Sequence, residues 1–256
     1  MVTDGTSIIF SPFYDKGEDL AFNLKTGIYS FDLSGKQNWF VQTNPLSHGS
    51  IKNGLLYMVE GDIQLVERTR EGTGKDGKPY TFKYRLMTIL SSRLTARRVS
   101  DGQVVWVSSP LPSGAGVQAP VLSNGLVIVA TYQDVKAYNQ ASGVNVWSRP
   151  LVNASIAFEP QVGLMVYSRY RTSMAAAEGS NTLIVTAGDG LYGLSITTGE
   201  QKWGVVNGSA DWARLFPNIS KRLFNPVIVG KKLYVIDGYD PAYSSPSGKL
   251  YILESN

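Results

Sequence analysis

Four of the five tryptophans in this 256-residue chain stand four residues after a glycine. The pairs are Gly35 and Trp39 in SGKQNW, Gly102 and Trp106 in DGQVVW, Gly143 and Trp147 in SGVNVW, and Gly199 and Trp203 in TGEQKW; only Trp212 departs from the rule. Ser, Asp or Thr precedes each glycine. That is the chemistry of a tight hairpin, where glycine accepts a positive φ and the preceding side chain bonds nearby backbone. Internal similarity at a fixed spacing constrains a fold more than any local motif, because each unit must bury itself against its neighbours.

Around each turn the pattern alternates with period two, as in GIYSFDL, SRLTARRV, DVKAYNQ and GLYGLSI. Apolar runs opened by turn residues lie upstream, among them NGLLYMVEG, NGLVIVATY and NTLIVTAGDG. Each unit therefore reads as strand, turn, strand, turn, strand, glycine turn and a last strand carrying tryptophan. The tryptophans are 67, 41 and 56 residues apart. A spacing of about 40–50 residues suits a four-stranded propeller blade, and the longer intervals imply insertions. The expected fold is all-β: a propeller of four-stranded antiparallel blades, about five of them recognisable. One domain is expected over residues 1–256, with a hairpin inserted at about residues 63–90. The segment SMAAAEGS, residues 173–180, is the best helical candidate.

Turn, strand and tryptophan together resemble the repeat of the pyrroloquinoline-quinone (PQQ) enzymes, roughly A-x-D-x-x-T-G-x-x-x-W. AYNQASGVNVW, residues 137–147, is the nearest copy, with Asn139 at the acidic position and Ser142 for threonine. GLSITTGEQKW keeps Thr198, ARRVSDGQVVW has Arg98 where the acid belongs, and SFDLSGKQNW is one residue shorter and keeps Asp32. The resemblance implies that Trp39, Trp106, Trp147 and Trp203, with Gly35, Gly102, Gly143 and Gly199, dock one blade on the next. It also implies similarity to the lipoprotein of the bacterial β-barrel assembly machinery, a quinone-free propeller, rather than to the dehydrogenases. From that follow an expected non-enzymatic scaffold, protein partners in an extracytoplasmic or membrane-associated assembly, and no cofactor. The alternative is a PQQ-dependent quinoprotein dehydrogenase, or a portion of one, which would need PQQ with calcium.

The composition limits other chemistry. Cysteine is absent, which removes disulfides and thiolate ligands, including the adjacent-cysteine disulfide that many quinoproteins carry. His48 is the only histidine, so no histidine metal cluster can form, and no G-x-S-x-G supplies a serine for a triad. Asp237 and Asp240 in IDGYDP lack the D-x-D-x-D-G pattern of a calcium loop and read as a hairpin. No apolar run reaches membrane-spanning length, and no signal peptide is visible at the first residues.

Charge is concentrated. Residues 67–98 carry nine basic and three acidic side chains in a chain whose net charge is +4. The stretch GTGKDGKPY, residues 72–80, fits two phosphate-binding patterns, G-x-G-x-x-G and a P-loop with Pro79 where the hydroxyl should be. Both patterns need a helix to follow, whereas Tyr80, Phe82, Tyr84 and Leu86 alternate with polar residues as a strand does. The glycines therefore mark a hairpin tip. Its basic residues Arg68, Arg70, Lys75, Lys78, Lys83 and Arg85 are candidate partner contacts, together with Arg169 and Arg171 in YSRYRTS. No specific nucleic-acid partner is expected, since no RRM, KH, zinc or helix-turn-helix signature occurs. Sequons at Asn153, Asn207 and Asn218 are about as many as chance supplies.

The chain stops just before an expected turn glycine, and it opens on a segment aligned with the second strand of a unit. A portion of a larger ring of seven or eight blades is the preferred expectation. An arc whose edges pair with another chain is the alternative.

Overall fold

A computed structural model describes residues 1–11, 26–73, 77–111, 118–131, 134–151, 173–177, 179–187, 190–206, 209–216, 223–237 and 250–254. Five antiparallel sheets follow one another along the chain, each a simple meander. Blade I holds β1 (Val2–Thr3), β2 (Ser7–Phe10), β3 (Ile28–Asp32) and β4 (Gln37–Val41). Blade II holds β5 (Ser50–Lys52), β6 (Leu55–Thr73), β7 (Pro79–Arg98) and β8 (Val104–Val107). Blade III holds β9 (Val121–Ser123), β10 (Leu126–Ala130), β11 (Asp134–Asn139) and β12 (Asn145–Pro150). Blade IV holds β13 (Ser173–Ala176), β14 (Thr182–Ala187), β15 (Gly190–Ser195) and β16 (Gln201–Val206). Blade V holds β17 (Leu223–Val229), β18 (Lys232–Asp237) and β19 (Leu250–Glu254). This is a β-propeller arrangement, as the repeat implies.

Burial explains the strand sequences. Middle strands are covered on both faces by adjacent blades, so every residue of β10 (LVIVA) is buried, and alternation disappears. In the outermost strands of blades II and III, β8 and β12, the tryptophan alone is buried. Apolar residues gather in four clusters, each astride a seam between consecutive blades. Asn53-Gly54 and Asn124-Gly125 turn the first strand of blades II and III into the second, all four residues at positive φ, as a two-residue hairpin requires.

Two expectations need correction. Blade I does have a first strand, the two-residue β1, pairing Val2 with Ile9 and Thr3 with Ile8. Residues 173–176 of the helical candidate form β13, where Ser173 and Met174 are buried and the strand pairs with β14. Sheet pairing overrides the local helical preference of its alanines. A helix occurs instead at α1 (Ala210–Leu215), capped by Ser209, whose hydroxyl accepts from the Trp212 amide at 3.1 Å. Trp212 and Phe216, one turn apart, bury that face between blades IV and V.

Candidate functional site: blade seams and a long ribbon

The Gly–Trp pairs act across blades rather than within one. The indole N–H of Trp39 in blade I donates to the Val99 carbonyl of blade II at 2.8 Å. Trp106 donates to Gln140 of blade III at 3.1 Å, and Trp147 to Ile196 of blade IV at 2.8 Å. Each ring covers the turn glycine of the blade it reaches. A Cβ at Gly102 would stand 2.8 Å from Trp39, one at Gly143 2.5 Å from Trp106, and one at Gly199 2.6 Å from Trp147. All three glycines have φ near +71°. Glycine is therefore required twice over, for backbone conformation and for ring contact.

The small first residue of the motif faces the tryptophan of its own blade. Ser30 pairs with Trp39, Ala96 with Trp106, Ala137 with Trp147 and Gly193 with Trp203. The register slips just after that residue in all four sheets, which swings the chain into its glycine turn. The acidic position is a turn cap. The Asp32 carboxylate accepts from the Ser34 amide at 2.9 Å and the Lys36 amide at 3.0 Å, and the Asn139 amide oxygen accepts from Ala141 and Ser142 at 3.0 Å each. Arg98 is tolerated at the same position because Asp101 caps the turn, accepting from the Gln103 amide at 2.9 Å while pairing with Arg98 at 3.1 Å.

Gly35 and Trp203 sit differently. Nothing lies within 4 Å of a Cβ built on Gly35, although its φ is +86°. Trp203 is 39% exposed, against 9% for Trp106 and Trp147, and its ring rests on Gly193 of its own blade.

One seam contains a buried ionic network that the sequence does not announce. Arg97 grips Glu60 with two bonds of 2.7 Å, through Nε to Oε1 and Nη2 to Oε2. Its Nη1 donates to the Gly102 carbonyl at 3.0 Å, and Thr43, on the crossing from blade I, donates to Glu60 at 2.6 Å. Arg97 counts as one of the nine basic residues, yet it is buried and neutralised rather than part of a basic surface. Nearby, burial pushes the Tyr138 phenol up to about 12, helped by the Asp134 charge.

Blade II also carries the longest strands. Up to Asp62 and Ser91 the pair β6–β7 belongs to the blade; a register shift follows, and Leu90 stands exposed at the bulge. Beyond it a two-stranded ribbon runs from the pair Ile63–Ile89 to the pair Thr73–Pro79, about 35 Å at the usual rise per residue. Gly77 turns the tip at φ +77°. Strands on both sides of GTGKDGKPY leave no helix to hold a phosphate.

Residues directly opposite in an antiparallel pair share a face. One face carries Val66 opposite Leu86, Arg68 opposite Tyr84, Arg70 opposite Phe82, and Gly72 opposite Tyr80. The other carries Leu65 opposite Met87, Glu67 opposite Arg85, Thr69 opposite Lys83, and Glu71 opposite Thr81. Tyr80 is exposed and its phenol lies over Gly72, where a Cβ would meet the hydroxyl at 2.6 Å. Lys78 is exposed beside the tip. Of the other candidate contacts, Arg68, Arg70, Lys83 and Arg85 are placed by backbone register, so the fold brings them onto one ribbon. Lys75, Arg169 and Arg171 lie outside the described residues, as do Asp240 and the three sequon asparagines.

A quinone would need a free indole face and acidic ligands for its calcium. Trp39, Trp106 and Trp147 are committed to the seams, whereas Trp203 is 39% exposed. Among the described residues no group of three or more His, Cys, Asp or Glu side chains could hold a metal. No described helix is long and apolar enough to cross a membrane.

The family profile described as "Outer membrane protein assembly factor BamB" matches residues 90–256, nearly two thirds of the chain. The chain belongs to that BamB family. No curated protein matches it in sequence. Among solved structures, BamB from Moraxella catarrhalis is 16% identical, with 97% of this chain and 63% of that one covered and a TM-score of 0.47. Quinohemoprotein alcohol dehydrogenase from Comamonas testosteroni is 14% identical, covering 90% of this chain and 39% of that one, with a TM-score of 0.49. The β-propeller domain of Cps50 (Swd1) from Myceliophteria thermophila is 9% identical over 89% of this chain and 65% of that one, at 0.45. The chain thus spans 63% of the length of the BamB that it matches. The BamB profile begins at residue 90, so the ribbon lies almost wholly outside the matched segment.

Proposed function

We propose that this BamB-family propeller is a quinone-free scaffold that binds protein partners in an extracytoplasmic assembly serving outer-membrane proteins. The observation that carries the reading is the match of residues 90–256 to the assembly-factor family. Two features of the chain support it. Three of the four motif tryptophans are spent on holding blades together, which is an architectural use of the repeat. The ribbon of blade II stands out from the blade with exposed positions at its tip, where a loop grafted on a rigid ring meets partners.

In this reading the basic positions Arg68, Arg70, Lys75, Lys78, Lys83 and Arg85 are candidate contacts of the ribbon. Arg169 and Arg171 are further candidate contacts by sequence alone.

The test is affinity purification of the tagged chain from its native envelope, with mass spectrometry of what accompanies it and an absorbance spectrum of the product. The expected result is co-purification with other outer-membrane assembly proteins and no quinone chromophore. Recovery of the chain alone, or with bound quinone and calcium-dependent dye reduction, would overturn the proposal.

A further inference from the structure

We infer that one face of the blade II ribbon lies flat on an anionic lipid bilayer. The register separates charge and aromaticity onto opposite sides. Arg68 and Arg70 share a face with Tyr80, Phe82 and Tyr84, and no acidic residue occupies any position of that face from the bulge to the tip. The acids Glu67 and Glu71 are on the other face, where Arg85 and Lys83 balance them. One side of the ribbon is therefore cationic and aromatic, and the other is neutral and polar beyond its base.

A second observation says which side meets the body at the base. Ile89, on the neutral face at the base, packs against the apolar cluster between blades II and III. At the base, therefore, the neutral side faces the protein's own body and the cationic side is opposite it. On the cationic side Tyr80 lies over Gly72 and remains exposed, so the tip offers an aromatic ring as well as charge.

The pattern fits a bilayer surface more closely than an acidic protein. The three aromatic positions recur every second residue of one strand, about 7 Å apart, with Arg68 across from Tyr84 and Arg70 across from Phe82. A plane of headgroups meets such a row all at once. Aromatic rings settle at the interface between headgroups and acyl chains, while the arginines meet anionic headgroups. A two-stranded ribbon is marginal alone in water, and a surface that covers its aromatic face supplies what it lacks.

This inference rests on the ribbon alone and not on the assembly reading. A chain that captures no assembly partner yet binds vesicles would sink that reading and keep this one. The experiment is vesicle flotation with the full chain, comparing phosphatidylglycerol–phosphatidylcholine vesicles with phosphatidylcholine alone across a salt series. Flotation with the anionic vesicles, declining as salt rises, is expected. Arg68→Glu with Arg70→Glu should weaken it by at least about tenfold, whereas Glu67→Gln with Glu71→Gln should not weaken it. The thermal midpoint of each variant serves as the folding control. Absence of flotation, equal binding to neutral vesicles, or binding indifferent to the double arginine reversal would overturn the inference. So would capture of an acidic protein by that face in a chain that never floats.

Discussion

Trp147 and Gly199 are the two halves of one joint. The indole N–H bonds the carbonyl three residues before the glycine, at 2.8 Å, and the ring stands where a glycine Cβ would be, 2.6 Å from its Cε3. The same joint recurs with Trp106 on Gly143 and Trp39 on Gly102. The repeat motif is thus a fastening between blades.

Removing the indole should unfasten a seam. Trp147→Ala is expected to cost about 3–5 kcal/mol, the usual cost of truncating a large buried aromatic. Trp203→Ala should cost under about 1 kcal/mol, because that ring is substantially exposed. Urea denaturation of both variants checks the contrast. Equal losses would show that exposure does not govern the joint.

The glycines allow a finer comparison, since two of them share a backbone conformation but not a neighbour. Gly35→Ala should lose about 1–2 kcal/mol for its left-handed φ alone. Gly143→Ala adds a methyl group into the Trp106 ring, and overpacking contributes about 1–3 kcal/mol more. A Gly143 variant no worse than the Gly35 variant would contradict the ring contact.

These joints could be read from the sequence because glycine and tryptophan are rare enough to be noticed and each does one job. Ser30, Ala96 and Ala137 were legible in the same way, as small residues at a fixed place. Other features left weaker traces. β1 has two residues, too few for periodicity to register. α1 did carry a signal, since Ser209 precedes a Trp212–Phe216 spacing of one helical turn, but six residues give little to weigh. SMAAAEGS misled because alanine is the best helix former, yet propensity yields to tertiary context and pairing with β14 decides its state. The Glu60–Arg97 pair was invisible: its members are 37 positions apart and each reads as an ordinary surface charge. The ribbon was visible as a hairpin, yet which of its residues share a face depends on the bulge at Leu90, which no turn residue marks.

That buried pair should behave as a unit. Glu60→Ala leaves the Arg97 guanidinium buried beside one carbonyl, and a loss of about 3–5 kcal/mol is expected. Replacing both members with Glu60→Leu and Arg97→Met should recover much of it, since an uncompensated charge costs more than an apolar substitute. A double variant as unstable as the single one would mean that the network's geometry, not its charge balance, holds the seam.

Stability should fall at both extremes of pH, for separate reasons. Hydrogen bonds hold the Asp4, Asp32 and Asp101 carboxyls below 3.8, chiefly from the Thr6 amide, the Ser34 hydroxyl and the Gln103 amide respectively. Their folded pKa values are depressed, so their contribution is complete above 3.8 and disappears as pH drops through the folded values. Tyr138 works in the opposite sense. Its folded pKa is raised from 10.0 to about 12, so its contribution is complete below pH 10 and is lost between about 10 and 12 as the unfolded phenol ionises first. Urea midpoints measured across pH should show both declines, with Tyr138→Phe flattening the alkaline one.

The most direct measurement of the central claim, a propeller scaffold that meets its partners through a grafted ribbon, is excision of that ribbon. Residues 64–88 are replaced by an Asn-Gly turn, which keeps the Ile63–Ile89 pair at the base, and the product is assayed for thermal unfolding and for partner capture from envelope extracts. The account predicts a thermal midpoint close to that of the parent, because the ribbon extends beyond the blade, together with loss of the captured partners. Full capture by a folded, ribbon-less chain would contradict it.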